Sequence, residues 1–88
     1  MTEDQTILCQ QYREFLADLV TNIARDGFTE AGNHSDIQWG KNLKDAGITF
    51  DVYQPLIYEA LDAYPGGNKA LMEAMYTANE RKRESSPQ

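Results

Sequence analysis

The sequence predicts an all-α fold, a small four-helix bundle-like domain with a helix-turn-helix-like corner at Gly47. Three observations carry that expectation. Apolar residues recur at three- and four-residue spacing through most of the 88 residues, as they do on the buried face of a helix. Gly27, Gly47 and the run Pro65-Gly66-Gly67 interrupt that pattern where turns would fall. The one segment that alternates as a strand would, residues 48–53, has no second strand of comparable quality to pair with, and a lone strand is not viable in water.

The first helix is expected from about Asp4 to Arg25. Thr2 and Gln5 have the spacing of a capping box. At about 100° per residue, Leu8, Tyr12, Phe15, Leu16, Leu19 and Ile23 fall in one wedge, flanked by Ile7 and Val20. Gln10, Glu14, Asp18, Thr21 and Arg25 take the opposite side, and Gly27 is placed to end the helix in a left-handed conformation. Phe28–His34, rich in Gly, Asn and Thr, reads as a loop. Ser35 and Gln38 then repeat the capping-box spacing and start a short second helix to Ala46. Trp39, Leu43 and Ala46 share its inner face, with Ile37 outward beside Lys41 and Lys44.

After Gly47 a third helix is expected from near Thr49 or Asp51, with Pro55 forcing an irregular or late first turn. Val52, Tyr53, Leu56, Ile57, Ala60, Leu61 and Tyr64 fill one half of it. Asn68 is placed to cap the fourth helix, whose apolar stripe is Leu71, Ala74, Met75 and Ala78. Residues 1–78 are thus read as a single helical domain. Residues 79–88 are read as a charged, fraying C-terminal tail that ends in a disordered Ser85-Ser86-Pro87-Gln88.

With 41% apolar and 25% charged residues the chain is globular rather than disordered in composition. Its net charge is −6, and up to residue 78 it holds 12 acidic against 5 basic residues. Such a surface repels nucleic acid and anionic membrane and favours basic partners, although the plainer consequence of acidity is solubility. Cys9 stands alone, so no internal disulfide can form. The start Met1-Thr2-Glu3-Asp4 is acidic and no long apolar run exists, so neither a secretory nor a transmembrane segment is expected and a cytoplasmic location is.

The motif of clearest outline is the corner at residues 42–49, a helix end, a Gly turn and the entry to a second helix. A DNA-reading version needs cations on that second helix. Here the 24 residues between Lys44 and Lys69 contain no Lys, Arg or His, and the helix offers Asp51, Glu59 and Asp62 instead. Direct nucleic-acid binding is therefore not expected. Catalysis has little to draw on: Cys9 sits at the edge of the apolar wedge, His34 is the only histidine, and no carboxylate falls on a predicted apolar face. Glu30, His34 and Asp36 in one loop match no defined coordination spacing, so no metal and no cofactor is assigned. Gly66-Gly67-Asn68-Lys69 lacks the strand and upstream glycine of a phosphate loop and reads as a turn with a cap. Arg81-Lys82-Arg83 is a short, half-neutralised basic run that complements a helix C-terminus.

The outward faces say more. Tyr58 points about 150° from the middle of the third helix's apolar side, with Asp51, Pro55, Glu59 and Asp62 around it. An aromatic anchor ringed by carboxylates suits a basic protein surface. Glu14 and Asp18 are like charges one turn apart on the first helix, a pairing that costs about 0.2–0.5 kcal/mol. Met72 and Tyr76, also one turn apart, form a candidate oligomer contact.

The expected function is a small acidic, non-catalytic protein-binding module. It would act as an inhibitor or regulator that occludes a basic partner, one that handles nucleic acid being a natural case. Glu14, Asp18, Asp51, Tyr58, Glu59 and Asp62 would form the binding face. In size, charge and lack of catalytic groups the chain is similar to the anti-defence inhibitors and immunity proteins of phages and other mobile elements, a likeness that rests on no motif. Two alternatives are a degenerate helix-turn-helix regulator that dimerises and holds DNA through Arg81–Arg83, and an oligomeric structural adaptor, homodimeric in the simplest case.

Overall fold

The computed structural model describes residues 1–85, with side chains through residue 84. Of the tail expected to be disordered, Ser85-Ser86-Pro87-Gln88, Ser85 instead ends the last helix, and residues 86–88 lie outside the described residues. Four helices follow in order: α1 (Glu3–Asp26), α2 (Glu30–Asp45), α3 (Phe50–Asp62) and α4 (Gly67–Ser85). The fold is all-α and bundle-like, and no strand occurs among the described residues.

α1 is the axis on which the others pack. Its start is the capping box read from sequence: Thr2 Oγ1 accepts from Gln5 N–H at 3.2 Å, and Gln5 Oε1 accepts from Thr2 N–H at 2.9 Å. The free end of the same Gln5 amide donates to Ala46 C=O at 2.9 Å, which ties the start of α1 to the end of α2 and sets the two helices antiparallel. Cys9, Tyr12, Leu16 and Val20 are the buried residues of α1. Cys9 and Val20 had been expected at the margins of the apolar wedge. They are central because α1 is packed against three helices, which widens its buried arc and centres it near Leu16.

Tyr12, 2% exposed, is the hub of the core. Its ring meets Trp39 of α2 at 5.6 Å and Tyr53 of α3 edge-on at 5.8 Å, while Phe15 stacks on Trp39 at 5.6 Å. Such pairs contribute about 0.5–1.5 kcal/mol each beyond burial. This burial pushes the Tyr12 hydroxyl up to about 12, helped by the nearby charge of Asp36 and by Tyr53.

The second helix begins earlier than the sequence suggests. Residues 30–34 are its first turn rather than loop, and Thr29, not Ser35, is the N-cap, with Thr29 Oγ1 accepting from Gly32 N–H at 3.0 Å. Gly32 and Asn33 are poor helix formers, but a Cβ at Gly32 would lie 2.9 Å from the capping Thr29 hydroxyl and 3.6 Å from Leu19 Cδ1, so the cap and packing against α1 together override propensity there. At the other end, Gly47 (φ 82°) closes α2 in a Schellman arrangement: Ile48 N–H reaches Leu43 C=O at 2.9 Å and Gly47 N–H reaches Lys44 C=O at 3.0 Å. Leu43 and Ile48 are both buried in the same cluster, the apolar contact that accompanies this motif. Ala46, expected inward, is instead the exposed C-cap whose carbonyl Gln5 uses.

α3 starts at Phe50, and Pro55 lies inside it. It contains no fully buried residue, although Tyr53, Leu56, Ile57 and Ala60 pack against the core. α4 starts at Gly67, so Asn68 lies within its first turn rather than capping it. Leu71, Met75 and Ala78 are buried, as their stripe predicts. The helix continues as far as Ser85, through residues read from sequence as a fraying end. Asn79 Oδ1 accepts from Phe28 N–H at 3.0 Å and Lys82 Nζ donates to Phe28 C=O at 3.1 Å, which fastens the α1–α2 connection to α4.

The result is a slab of 49 × 29 × 17 Å with a radius of gyration of 14.7 Å. A compact chain of this length has about 12 Å. The helices are spread rather than gathered, so much of each remains in water.

Candidate functional site

On α3 the spacing i, i+4, i+7, i+8, i+11 places Asp51, Pro55, Tyr58, Glu59 and Asp62 on one stripe, and all five are exposed. Tyr58 is 57% exposed, with its hydroxyl oxygen accepting from Gln54 Nε2 at 3.3 Å one turn away. That contact holds the ring along the helix surface. Phe50 is 53% exposed at the head of the same helix, its ring packed edge-on against Tyr53 at 5.2 Å. α3 therefore presents large apolar surface and carboxylates together.

The six residues expected to form the binding face divide between two places. Glu59 pairs with Arg13 across the α1–α3 seam at 3.6 Å, the two side chains being 62% and 52% exposed. So open a pair is screened by water and contributes at most about 1 kcal/mol. A groove of about 310 Å³ runs along this seam, lined by Arg13, Ala17, Leu56, Glu59 and Tyr64 among others. Asp18 lines a different groove, between α1 and α2, with Phe15, Leu19 and Asn22 of its own helix. Residues 13, 17 and 21 and residues 15, 18 and 22 are on opposite flanks of α1. Glu14 is exposed on the outer side of α1, between those flanks. Asp51, Tyr58, Glu59 and Asp62 thus share one face of α3, while Glu14 and Asp18 belong to α1.

Met72 is half-buried and Tyr76 is 64% exposed, so only Tyr76 offers free surface of any size. Cys9 is buried under the first half of α1, its thiol 4.0 Å from Met1 Sδ. His34 is exposed on the first half of α2, which lies beside the far end of α1. Cys9 and His34 are therefore held apart. Glu30, His34 and Asp36 are on helix, not on a loop that could wrap an ion, and no group of three or more His, Cys, Asp or Glu able to hold a metal occurs among the described residues. Nor does any helix there have the length and apolarity to cross a membrane.

Two features escaped the sequence. Asp36, read as part of a capping or loop segment, lines the α1–α2 groove, where burial pushes its carboxyl above the ordinary Asp range. Phe28, read as loop, is 63% exposed at that groove with its backbone fastened on both sides. Neither carries a local signal, because both depend on how α1, α2 and α4 meet. Comparison with family models, with curated proteins and with solved structures finds no match for this chain.

Proposed function

We propose that this chain is a non-catalytic binding protein that covers a basic surface on another protein, using the outer stripe of α3. The observation that carries the reading is Tyr58, 57% exposed on a helix with no fully buried residue and flanked by Asp51, Glu59 and Asp62. An aromatic ring inserted into a partner pocket supplies the anchor, and surrounding carboxylates meet Lys and Arg at the rim. The acidic body, net −6, speeds encounter with a cationic partner at low salt and disfavours nucleic acid itself. A partner whose cations normally hold nucleic acid would be blocked by this face, which makes inhibitor or regulator the natural role and the cytoplasm its natural setting.

Capture from a lysate of the native host tests this. Immobilised wild-type protein should retain a basic protein that the Tyr58→Ala/Asp62→Lys variant loses. Affinity for that protein should fall steeply with salt, since exposed pairing is screened within about 8–10 Å at 0.1–0.15 M. Identical capture by both forms, or binding insensitive to salt, rejects the reading.

A second reading, self-association through Met72 and Tyr76, draws on the 17 Å thickness of the slab and on the 64% exposure of Tyr76. Light scattering decides it: a dimer lost on Tyr76→Ser supports an adaptor role, and a monomer at all concentrations removes it.

A further inference from the structure

The α1–α2 seam is closed at one end and open at the other. Near the end of α2, Leu43 and Trp39 pack onto Tyr12 and Phe15. Toward the start of α2 a groove of about 370 Å³ lies beside the seam, with Phe15, Leu19 and Ile23 among its lining. That volume accommodates one or two bulky apolar side chains of a ligand segment and is in the range of small binding clefts.

The groove has an aromatic lip that is already fixed. Phe28 is 63% exposed, yet its N–H is held by Asn79 and its C=O by Lys82. A large apolar side chain kept in water on a fastened backbone loses little freedom when a partner covers it, which favours binding. The walls are negative. Asp18 stands on α1 and Asp36 on α2, and neither forms an ion pair among the described residues. Two cations stand near, and both are engaged: Arg25 in the lining by Asp26 at 2.9 Å and by Asn22 at 3.0 Å, and Lys82 at the lip by Phe28 C=O at 3.1 Å. The raised carboxyl of Asp36 reflects walls that already exclude part of its water, and a cation arriving there regains that lost stabilisation.

We propose that the α1–α2 groove is a docking site for a basic amphipathic segment of a partner protein, whose bulky apolar side chain packs between Phe28 and Leu19 while flanking Lys or Arg residues meet Asp18 and Asp36. The inference rests on the reading of this chain as a binder of basic protein, and it adds a second face, on the other flank of α1 from the α3 stripe. Nucleic acid and anionic membrane are disfavoured by the two carboxylates. Within this chain the nearest match to such a segment is the outer side of α2, where Ile37 is 63% exposed beside Lys41 and Lys44.

The test is NMR titration of the ¹⁵N-labelled full chain with a helical peptide of about 14 residues, Leu at i, i+4 and i+7 and Lys on both flanks. A matched peptide with Glu in place of every Lys is the control. Shifts should concentrate at Leu19, Phe28, Ala31 and Asp36, and the Glu peptide should leave them unmoved. Ala31→Trp, which fills the groove from an exposed position, and Asp18→Asn/Asp36→Asn should each weaken binding about tenfold. Circular dichroism confirms that these variants stay folded. Four results overturn the inference: no binding of the Lys peptide, equal binding of the Glu peptide, shifts on the α3 stripe that vanish with Tyr58→Ala, or a dimer in which residues 37–44 of a second copy fill the groove. The third would leave the α3 reading standing. Loss of lysate capture specificity with intact peptide binding would do the reverse.

Discussion

Replacing Gly27 with Ala should destabilise the fold far more than its single added methyl suggests. Gly27 ends α1 with φ 73° and ψ −161°, a backbone region that is essentially restricted to glycine and costs other residues about 1–3 kcal/mol. A Cβ there would also overlap the Asn79 side-chain amide. That amide caps Phe28 N–H, so pushing it aside forfeits a hydrogen bond worth about 0.5–1.5 kcal/mol. Together these give about 2–4 kcal/mol, against a total near 4–13 kcal/mol for 88 residues. In thermal terms Tm should fall by roughly 8–32 °C. Urea unfolding followed at 222 nm measures the loss directly, provided the slope m is unchanged. Asn79→Ala alone should cost only about 0.5–1.5 kcal/mol. The double variant is the sharper test. With Asn79 truncated the side-chain overlap disappears and only a close approach to its backbone nitrogen remains, so the pair should cost less than the sum of the singles by about 0.5–1.5 kcal/mol. A Gly27→Ala protein within about 0.5 kcal/mol of wild type would refute this account, as would strict additivity in the cycle.

Further predictions follow from the core and from titration. Leu43→Ala, at a side chain with 0% exposure, should lose about 2–5 kcal/mol by chemical denaturation and release Trp39 fluorescence toward a solvent-like spectrum. Tyr12 titrates at about 12 when folded and near 10 when unfolded, so the unfolded chain gives up its proton first. Stability should therefore decline as pH rises from about 10 to 12, and Tyr12→Phe should flatten that part of the profile. The raised Asp36 carboxyl has the same sign at the acid end: its ionisation opposes folding, so Asp36→Asn should raise Tm at pH 7 and lose that advantage at a pH below the unfolded Asp value of about 3.9. Arg13→Ala should shift stability by less than about 1 kcal/mol, because its pair with Glu59 is open to water.

How much of this was written locally can be judged residue by residue. Thr2, Gln5 and Gly47 act through bonds to residues three to five positions away, so sequence spacing exposes them. The stripes of α1 and α4 are legible for the same reason, as burial repeats with the helical period. The first turn of α2 was not, since Gly32 and Asn33 look like loop until Leu19 is known to lie against Gly32. The fastening of Phe28 by Asn79 and Lys82 joins residues 51 and 54 positions apart and leaves no pattern in either neighbourhood. On the candidate site, the exposure of Tyr58 among carboxylates follows from helical phase alone. The separation of Asp18 from Glu59 onto different flanks becomes visible only when α2 and α3 are placed on α1.

A spread arrangement of helices has an energetic consequence that bears on both faces. With a thickness of 17 Å and only nine buried apolar residues among those described, the chain holds itself together through a thin layer centred on Tyr12. Phe28, Phe50, Tyr58 and Tyr76 each keep more than half their surface in water. Covering such rings on binding returns apolar area at about 25 cal/mol per Å², and the rings on α3 or at the groove need no rearrangement of the core to be covered. A partner present at about 100 times its Kd stabilises the folded state by about 2.7 kcal/mol, a sizeable fraction of what a chain this small possesses. Recognition and folding are then coupled in a measurable way. Amide exchange should slow most where the partner sits, along residues 50–62 for the α3 stripe or along 15–36 for the groove, and also across α4, because α4 packs on both α1 and α3. Protection confined to the contact face, with α4 unchanged at saturating partner, would show that the core is already stable alone and that the exposed rings serve recognition only.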